Sequence, residues 1–156
     1  MLTQGLAMAF TDDNGGFAFS CDDAKLSIAA STWNTRLSQL ARVQGPLRVM
    51  TRLLPNLDYI GRIVSKRPHN IYILASTEAE VDARSLKAQF PSIRIALHPN
   101  LNAKAVLVGP DTVWISSADF GESKKIESAV GLHSETVFNK ALSSLFNPAW
   151  ATAREI

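Results

Sequence analysis

The sequence predicts an α/β fold with one mixed, largely parallel central sheet flanked by helices, and three observations carry that prediction. Between Gly45 and Leu97, strand-like and helix-like segments alternate, the order that builds parallel strands through right-handed helical crossovers. Asn70 to Ala75 is a β-branched, nearly continuous apolar run, as a strand buried on both faces requires. Past Asn100 the alternation stops, and two apolar runs are separated only by Gly109-Pro110-Asp111, a link short enough to make them antiparallel neighbours. With 156 residues, 46% of them hydrophobic, the chain has enough apolar material for the core of a single domain spanning 1–156.

Taken in order, Leu6 to Phe10 and Phe17 to Ser20 are short apolar runs joined by Asp12-Asp13-Asn14-Gly15-Gly16, whose Asn and Gly supply the positive φ of a tight turn, so an N-terminal β-hairpin is expected. Ser31 or Thr32 caps a helix with Leu37, Leu40, Ala41 and Val43 on one stripe, ended by Gly45-Pro46. Leu47 to Thr51 reads as a strand. A helix then starts near Pro55, with Leu57, Ile60, Ile63 and Val64 on its apolar face. After the strand Asn70–Ala75, Ser76 or Thr77 with Glu78 and Glu80 opens a helix with acid at its positive end, running to about Phe90 before Pro91. Ile93 to Leu97, Ala103 to Val108, Thr112 to Ser116 and about Glu127 to Leu132 are further strands. Ser134 caps a last helix, with Val137, Phe138, Ala141, Leu142 and Leu145 on its buried face, ending before Pro148.

Composition excludes several function classes. A net charge of +2 is too small for a protein that coats nucleic acid by charge alone. Cys21 is the single cysteine, so neither an intrachain disulfide nor a cysteine-rich zinc site is possible, and a reducing cytoplasmic setting is expected. The N-terminus lacks the basic start and apolar run of a secretory signal, and no stretch is long and apolar enough for a membrane span. His69 and His133 have no acid or cysteine at metal-ligand spacing and read as structural or exposed, so no metal or other cofactor is expected. Trp33, Trp114 and Trp150 lack the spacing of a base-stacking platform and read as core or interface residues.

The chemistry concentrates in the last third. Asn102 and Lys104, two apart on a strand, project from one face. The next strand ends in Ser116-Ser117-Ala118-Asp119, small hydroxyl residues and turn backbone able to offer donors to an oxyanion, and Glu127 opens the strand after it. If adjacent strands bring these ends together, Lys104, Ser117 and Glu127 converge on one pocket.

This pattern resembles the phospholipase D superfamily, whose motif is His-x-Lys, a short apolar strand, an Asp, then Gly-Ser-Ala-Asn and a downstream Glu. Asn102 stands for the His, Lys104 for the Lys, Ser116-Ser117-Ala118-Asp119-Phe120 for Gly-Ser-Ala-Asn-Phe, and Glu127 for the Glu. Gly109 stands where the family has Asp. The resemblance extends over about 45–150 and implies a phospholipase-D-like half-domain. Because the chain carries one motif and not two, it is similar to the single-motif, nuclease-like branch, which implies a homodimer sharing one metal-independent site, with nucleic acid or another phosphodiester as ligand. In that family one histidine forms a phosphohistidine, the other protonates the leaving oxygen, lysines hold the nonbridging oxygens, and the Glu orients the histidine. By that resemblance Asn102, Lys104 and Glu127 occupy catalytic positions, and Lys104, Ser117 and Asp119 phosphate-binding ones.

Asparagine changes the expected outcome, because a carboxamide has no basic nitrogen lone pair and neither forms a phosphoryl adduct nor shuttles a proton. The chain is expected to be nearly inactive as a phosphodiesterase: either a catalytically disabled nuclease, or a naturally noncatalytic nucleic-acid- or protein-binding regulator on the same scaffold. Simpler readings stand beside these. Lys104 by itself is a solvated edge lysine, Ser117 a strand-end hydroxyl, Glu127 a surface carboxylate and Asp119 a turn residue. Lys124-Lys125 is a solvated loop that, beside the site, can meet a nucleic-acid backbone. His98, four residues before Asn102, is a candidate substitute base, with Pro99-Asn100 bending the chain away.

Overall fold

The computed structural model describes residues 21–28, 45–67 and 69–156; the expected N-terminal hairpin and the helix after Ser31 lie outside them. Among the described residues eight strands form one sheet in the order β1-β7-β6-β5-β2-β3-β4-β8. They are β1 (Ala24–Ile28), β2 (Leu47–Thr51), β3 (Ile71–Ser76), β4 (Arg94–His98), β5 (Ala105–Val108), β6 (Thr112–Ser116), β7 (Ser128–His133) and β8 (Arg154–Glu155). The sheet is mixed, as the pattern implied. Its parallel part is confined to β2, β3 and β4, joined through α1 (Leu57–Lys66) and α2 (Glu80–Gln89); the other five pairings are antiparallel, since only a helical crossover returns the chain to run parallel to its neighbour.

Both sheet faces are covered. On one, Val49, Ile73, Ile95 and Val106 pack against Tyr59, Ile60, Ile63 and Val64 of α1 and Ala83 and Leu86 of α2. On the other, Met50, Leu74, Ala96, Ala105 and Leu107 pack against Val137, Phe138 and Phe146. Local chemistry fixes the helix starts. The side chain of Asn56, in the left-handed region at φ 61°, accepts from Tyr59 N to cap α1. Ser76 Oγ accepts from Glu78 N ahead of a short 3-10 turn (Thr77–Ala79) leading into α2. Ser134 Oγ caps α3 (Glu135–Ala141) by accepting from Val137 N at 3.2 Å.

The last helix departs from expectation at its end. It does not stop before Pro148 but continues through a π turn (Leu142–Phe146) into α4 (Asn147–Ala151), so that Pro148, which has no N–H to donate, follows directly on the wider turn. The wider turn rotates the register, so Phe146 takes the inward position and Leu145, expected on the buried face, is surface-exposed. The sequence reading also lacked β1 and the two-residue β8, which join the sheet only by pairing with β7 and β4. On β7, Gly131 lies opposite Trp114, and a Cβ there would stand 2.6 Å from the indole; glycine lets the ring lie across the strand.

Candidate functional site

Strand directions bring the candidate residues to one edge. β5 is antiparallel to β2, and β6 to β5, so β6 runs with the parallel strands. Asn102 and Lys104 therefore precede β5, Ser117 and Asp119 follow β6, and Glu127 precedes β7, all at the carboxyl end of β2, β3 and β4. Open α/β sheets bind ligands at this end. The ladder runs one row past β6: Ser116 N donates to Lys104 O at 3.0 Å and Ser117 N to Ser128 O at 2.9 Å. This puts Lys104 one interstrand spacing, roughly 5 Å, from Ser116.

Two groups of side chains result. Lys104 Nζ donates to Asn102 Oδ1 at 3.3 Å, with Asn102 exposed and Lys104 half-buried. Ser117 Oγ donates to Glu127 Oε2 and accepts from Ser128 N at 3.0 Å, while Ser123 Oγ donates to Glu127 Oε1 at 3.2 Å. Ser117, Asp119 and Glu127 line one pocket of about 410 Å³ together with Glu122, Lys124 and Lys125. Asn102 and Lys104 stand beside this pocket rather than in its wall. Of the expected convergence, the structure joins Ser117 to Glu127 and Lys104 to Asn102, as two adjacent pairs.

Asp119 acts as a brace. Its Oδ1 accepts from Arg52 N at 2.9 Å, Leu53 N at 3.1 Å and Thr51 Oγ1 at 3.1 Å. Thr51 Oγ1 in turn accepts from Phe120 N at 2.9 Å. These bonds tie the loop after β6 to the end of β2. Two residues on, Gly121 has φ +148°, and a Cβ there would lie 2.2 Å from the Pro55 carbonyl oxygen. No other residue fits so close an approach.

His98 is not drawn into the site. Its Nδ1 accepts from Asn100 N at 3.1 Å, which leaves the proton on Nε2 to donate to Thr152 Oγ1 at 3.0 Å. With β2 and β3 between β4 and β5, it stands three strand spacings, roughly 14 Å, from the row of Lys104. The sequence reading passed over Arg52, at the same edge, whose guanidinium bonds Glu78 at 2.7 Å and holds that carboxyl below the usual range. Among the described residues no three His, Cys, Asp or Glu side chains cluster as a metal site.

At the opposite edge, His133 bridges Asp23 (Nδ1 to Oδ2, 2.8 Å) and Asp111 (Nε2 to Oδ2, 2.9 Å), tying β1 to the β5–β6 turn. No spacing in the sequence shows this, because the acids lie 110 and 22 residues away. Hydrogen bonds to both carboxylates raise the imidazole above its ordinary 6.5. A raised histidine stabilises the fold fully below the unfolded value and loses that contribution as pH rises through the folded one. His133→Gln is therefore expected to lower the urea midpoint below about pH 6.5, with the deficit vanishing in alkali. A deficit independent of pH would contradict the bridge.

The amino-acid sequence matches no family model and no curated protein sequence. Solved structures do match. Nuc from Salmonella typhimurium, a phospholipase D family member, is similar with a TM-score of 0.66 and 17% identity over 86% of this chain and 99% of that one. NucT from Helicobacter pylori is similar with a TM-score of 0.68 and 12% identity, again over 86% and 99%. TrmBL2, an archaeal chromatin protein whose structure shows a novel mode of DNA binding, is similar with a TM-score of 0.62 and 12% identity over 85% of this chain and 54% of that one. Strand order, helical crossovers and these near full-length superpositions lead to one conclusion: the chain has the fold of the phospholipase D superfamily.

Proposed function

We propose that this protein binds nucleic-acid phosphodiesters at the Asn102–Lys104 edge as a homodimer, on a metal-independent nuclease scaffold whose catalytic step is disabled by Asn102. The observation that carries this reading is the placement of the Asn102–Lys104 pair one strand from Ser117 and Glu127 at the ligand-binding end of the sheet. Lys104 supplies the cation for a nonbridging oxygen, while Ser117, whose one proton goes to Glu127, holds that carboxylate in place beside it. Asn102 preserves a hydrogen-bonding group where the family has its nucleophile but supplies no basic nitrogen, so a bound diester is held and not attacked. Asp119 serves by positioning: its brace fixes the loop that carries Ser117. The single motif, as in the nuclease-like branch, favours a nucleic-acid ligand over lipid. Among the described residues no helix is long and apolar enough to cross a membrane.

A second copy completes a two-motif site, and there is apolar surface for it to cover. Leu26 and Ile115 flank Val130 across β1, β7 and β6 and share its face, with Leu26 62% and Ile115 43% exposed. Light scattering is expected to give twice the chain mass, and a strict monomer at high concentration would contradict the shared site. Lys104→Ala is expected to weaken binding of fluorescein-labelled single-stranded DNA in EDTA by about 5-fold at about 0.1 M salt, the contribution of one phosphate contact. Unchanged affinity and salt slope would remove Lys104 from the site. The naturally noncatalytic regulatory reading draws on Glu127, both of whose oxygens already accept from serines.

A further inference from the structure

We infer that the 410 Å³ pocket beside Asn102 and Lys104 is a second phosphate subsite for a nucleic-acid strand, with Lys124 and Lys125 as its cations; this rests on the nucleic-acid reading above. The pocket wall carries three carboxylates and two ammonium groups, a balance that by formal charge alone would repel an anion. Hydrogen bonding leaves that charge in place but commits each acid to a donor of the protein itself, and none of them pairs with the two lysines. Glu127 accepts from Ser117 and Ser123 on its two oxygens, Glu122 Oε2 accepts from Asn56 Nδ2 at 2.7 Å, and Asp119 Oδ1 accepts three bonds from the end of β2. Each acid is held by donors of the protein itself.

Lys124 and Lys125 are exposed and have no ion-pair or hydrogen-bond acceptor for their ammonium groups among the described residues. Here the acids are fixed by Asn56, Ser117, Ser123 and the β2 end, so the ammonium groups remain available for an incoming phosphate. The loop that bears them cannot drift far. Its start is braced by Asp119 and Gly121 against β2 and Pro55, and its end by Glu127 on Ser117. The volume lies within the roughly 300–1,000 Å³ of small-ligand pockets. A strand with one diester held at Lys104 therefore meets a further phosphate contact one loop away, so the subsite sets register and affinity.

The test measures binding of fluorescein-labelled single-stranded DNA to the full chain by anisotropy across a salt series, in EDTA, for wild type, K124A/K125A and the control K25A/K66A. Lys25 lies on β1, and Lys66 ends α1 at the opposite edge of the sheet. Losing two single-strand phosphate contacts is expected to reduce the slope of log K against log salt by about 1.4 and affinity by roughly 25-fold at about 0.1 M salt. The control should change neither. An unchanged slope in K124A/K125A overturns the subsite while leaving the proposed function standing. No wild-type binding to DNA or RNA overturns both. Lysine-dependent binding to phosphatidylglycerol vesicles without nucleic-acid binding overturns the assignment of the occupant.

Discussion

Asp119→Ala is expected to lower the unfolding free energy by about 3 kcal/mol, because it strands the backbone amides of Arg52 and Leu53 at once. Thr51 is fully buried, and its hydroxyl donates to Leu53 O at 2.7 Å and accepts from Phe120 N, so losing Asp119 loosens the junction between the end of β2 and the loop after β6. The informative comparison is Asp119→Asn, which restores the residue type of the family motif. A carboxamide oxygen accepts the same bonds without the charge, so about 1 kcal/mol is expected. Urea denaturation checks both, as a shift in midpoint at unchanged slope. If the two variants cost the same, the acceptor geometry is not what Asp119 contributes.

The same residue shows how far the sequence was legible. Its position in the motif, three after Ser116, was plain, and so was the strand-end setting. Its partners were not, because Thr51, Arg52 and Leu53 lie more than sixty residues upstream and offer a backbone edge that no side-chain pattern encodes. The central elements were readable for the converse reason. β2, β3 and the faces of α1 and α2 follow from local periodicity, and Ser76 and Ser134 cap where the sequence placed them. What failed was set by tertiary context. β1 and β8 are strands only because β7 and β4 offer edges, and the π turn that exposes Leu145 follows from fitting Phe146 and Trp150 against Tyr72, with Trp150 edge-on to Tyr72 at 5.9 Å and stacked on Phe146 at 5.6 Å. Lys104, Ser117 and Glu127 were expected to converge on one pocket; they reach one edge, but Lys104 stands outside the pocket that Ser117 and Glu127 line. Their division into an Asn102–Lys104 pair and a Ser117–Glu127 pair was not expected, since spacing fixes which edge a residue reaches and not which neighbour it bonds.

The central claim is that this fold holds a diester beside Lys104 and is stopped by the missing histidine at position 102, which would supply the nucleophile in one copy and the acid in the other. Asn102 is exposed, so an imidazole fits there without repacking the core. With an ordinary value near 6.5, it is largely unprotonated at neutral pH and ready to attack phosphorus. Across a dimer, the second copy's histidine then serves as the acid, and Lys104 stabilises the charge gathering on the nonbridging oxygens. The direct measurement is cleavage of single-stranded DNA and RNA by wild type and Asn102→His in EDTA. The account predicts binding without turnover for wild type and a gain of about 10²- to 10⁴-fold for the variant, lost again when Lys104→Ala is added. Asn102→His that binds nucleic acid with wild-type salt dependence yet cleaves no faster would contradict the disabled-nuclease account and leave a scaffold built for binding alone.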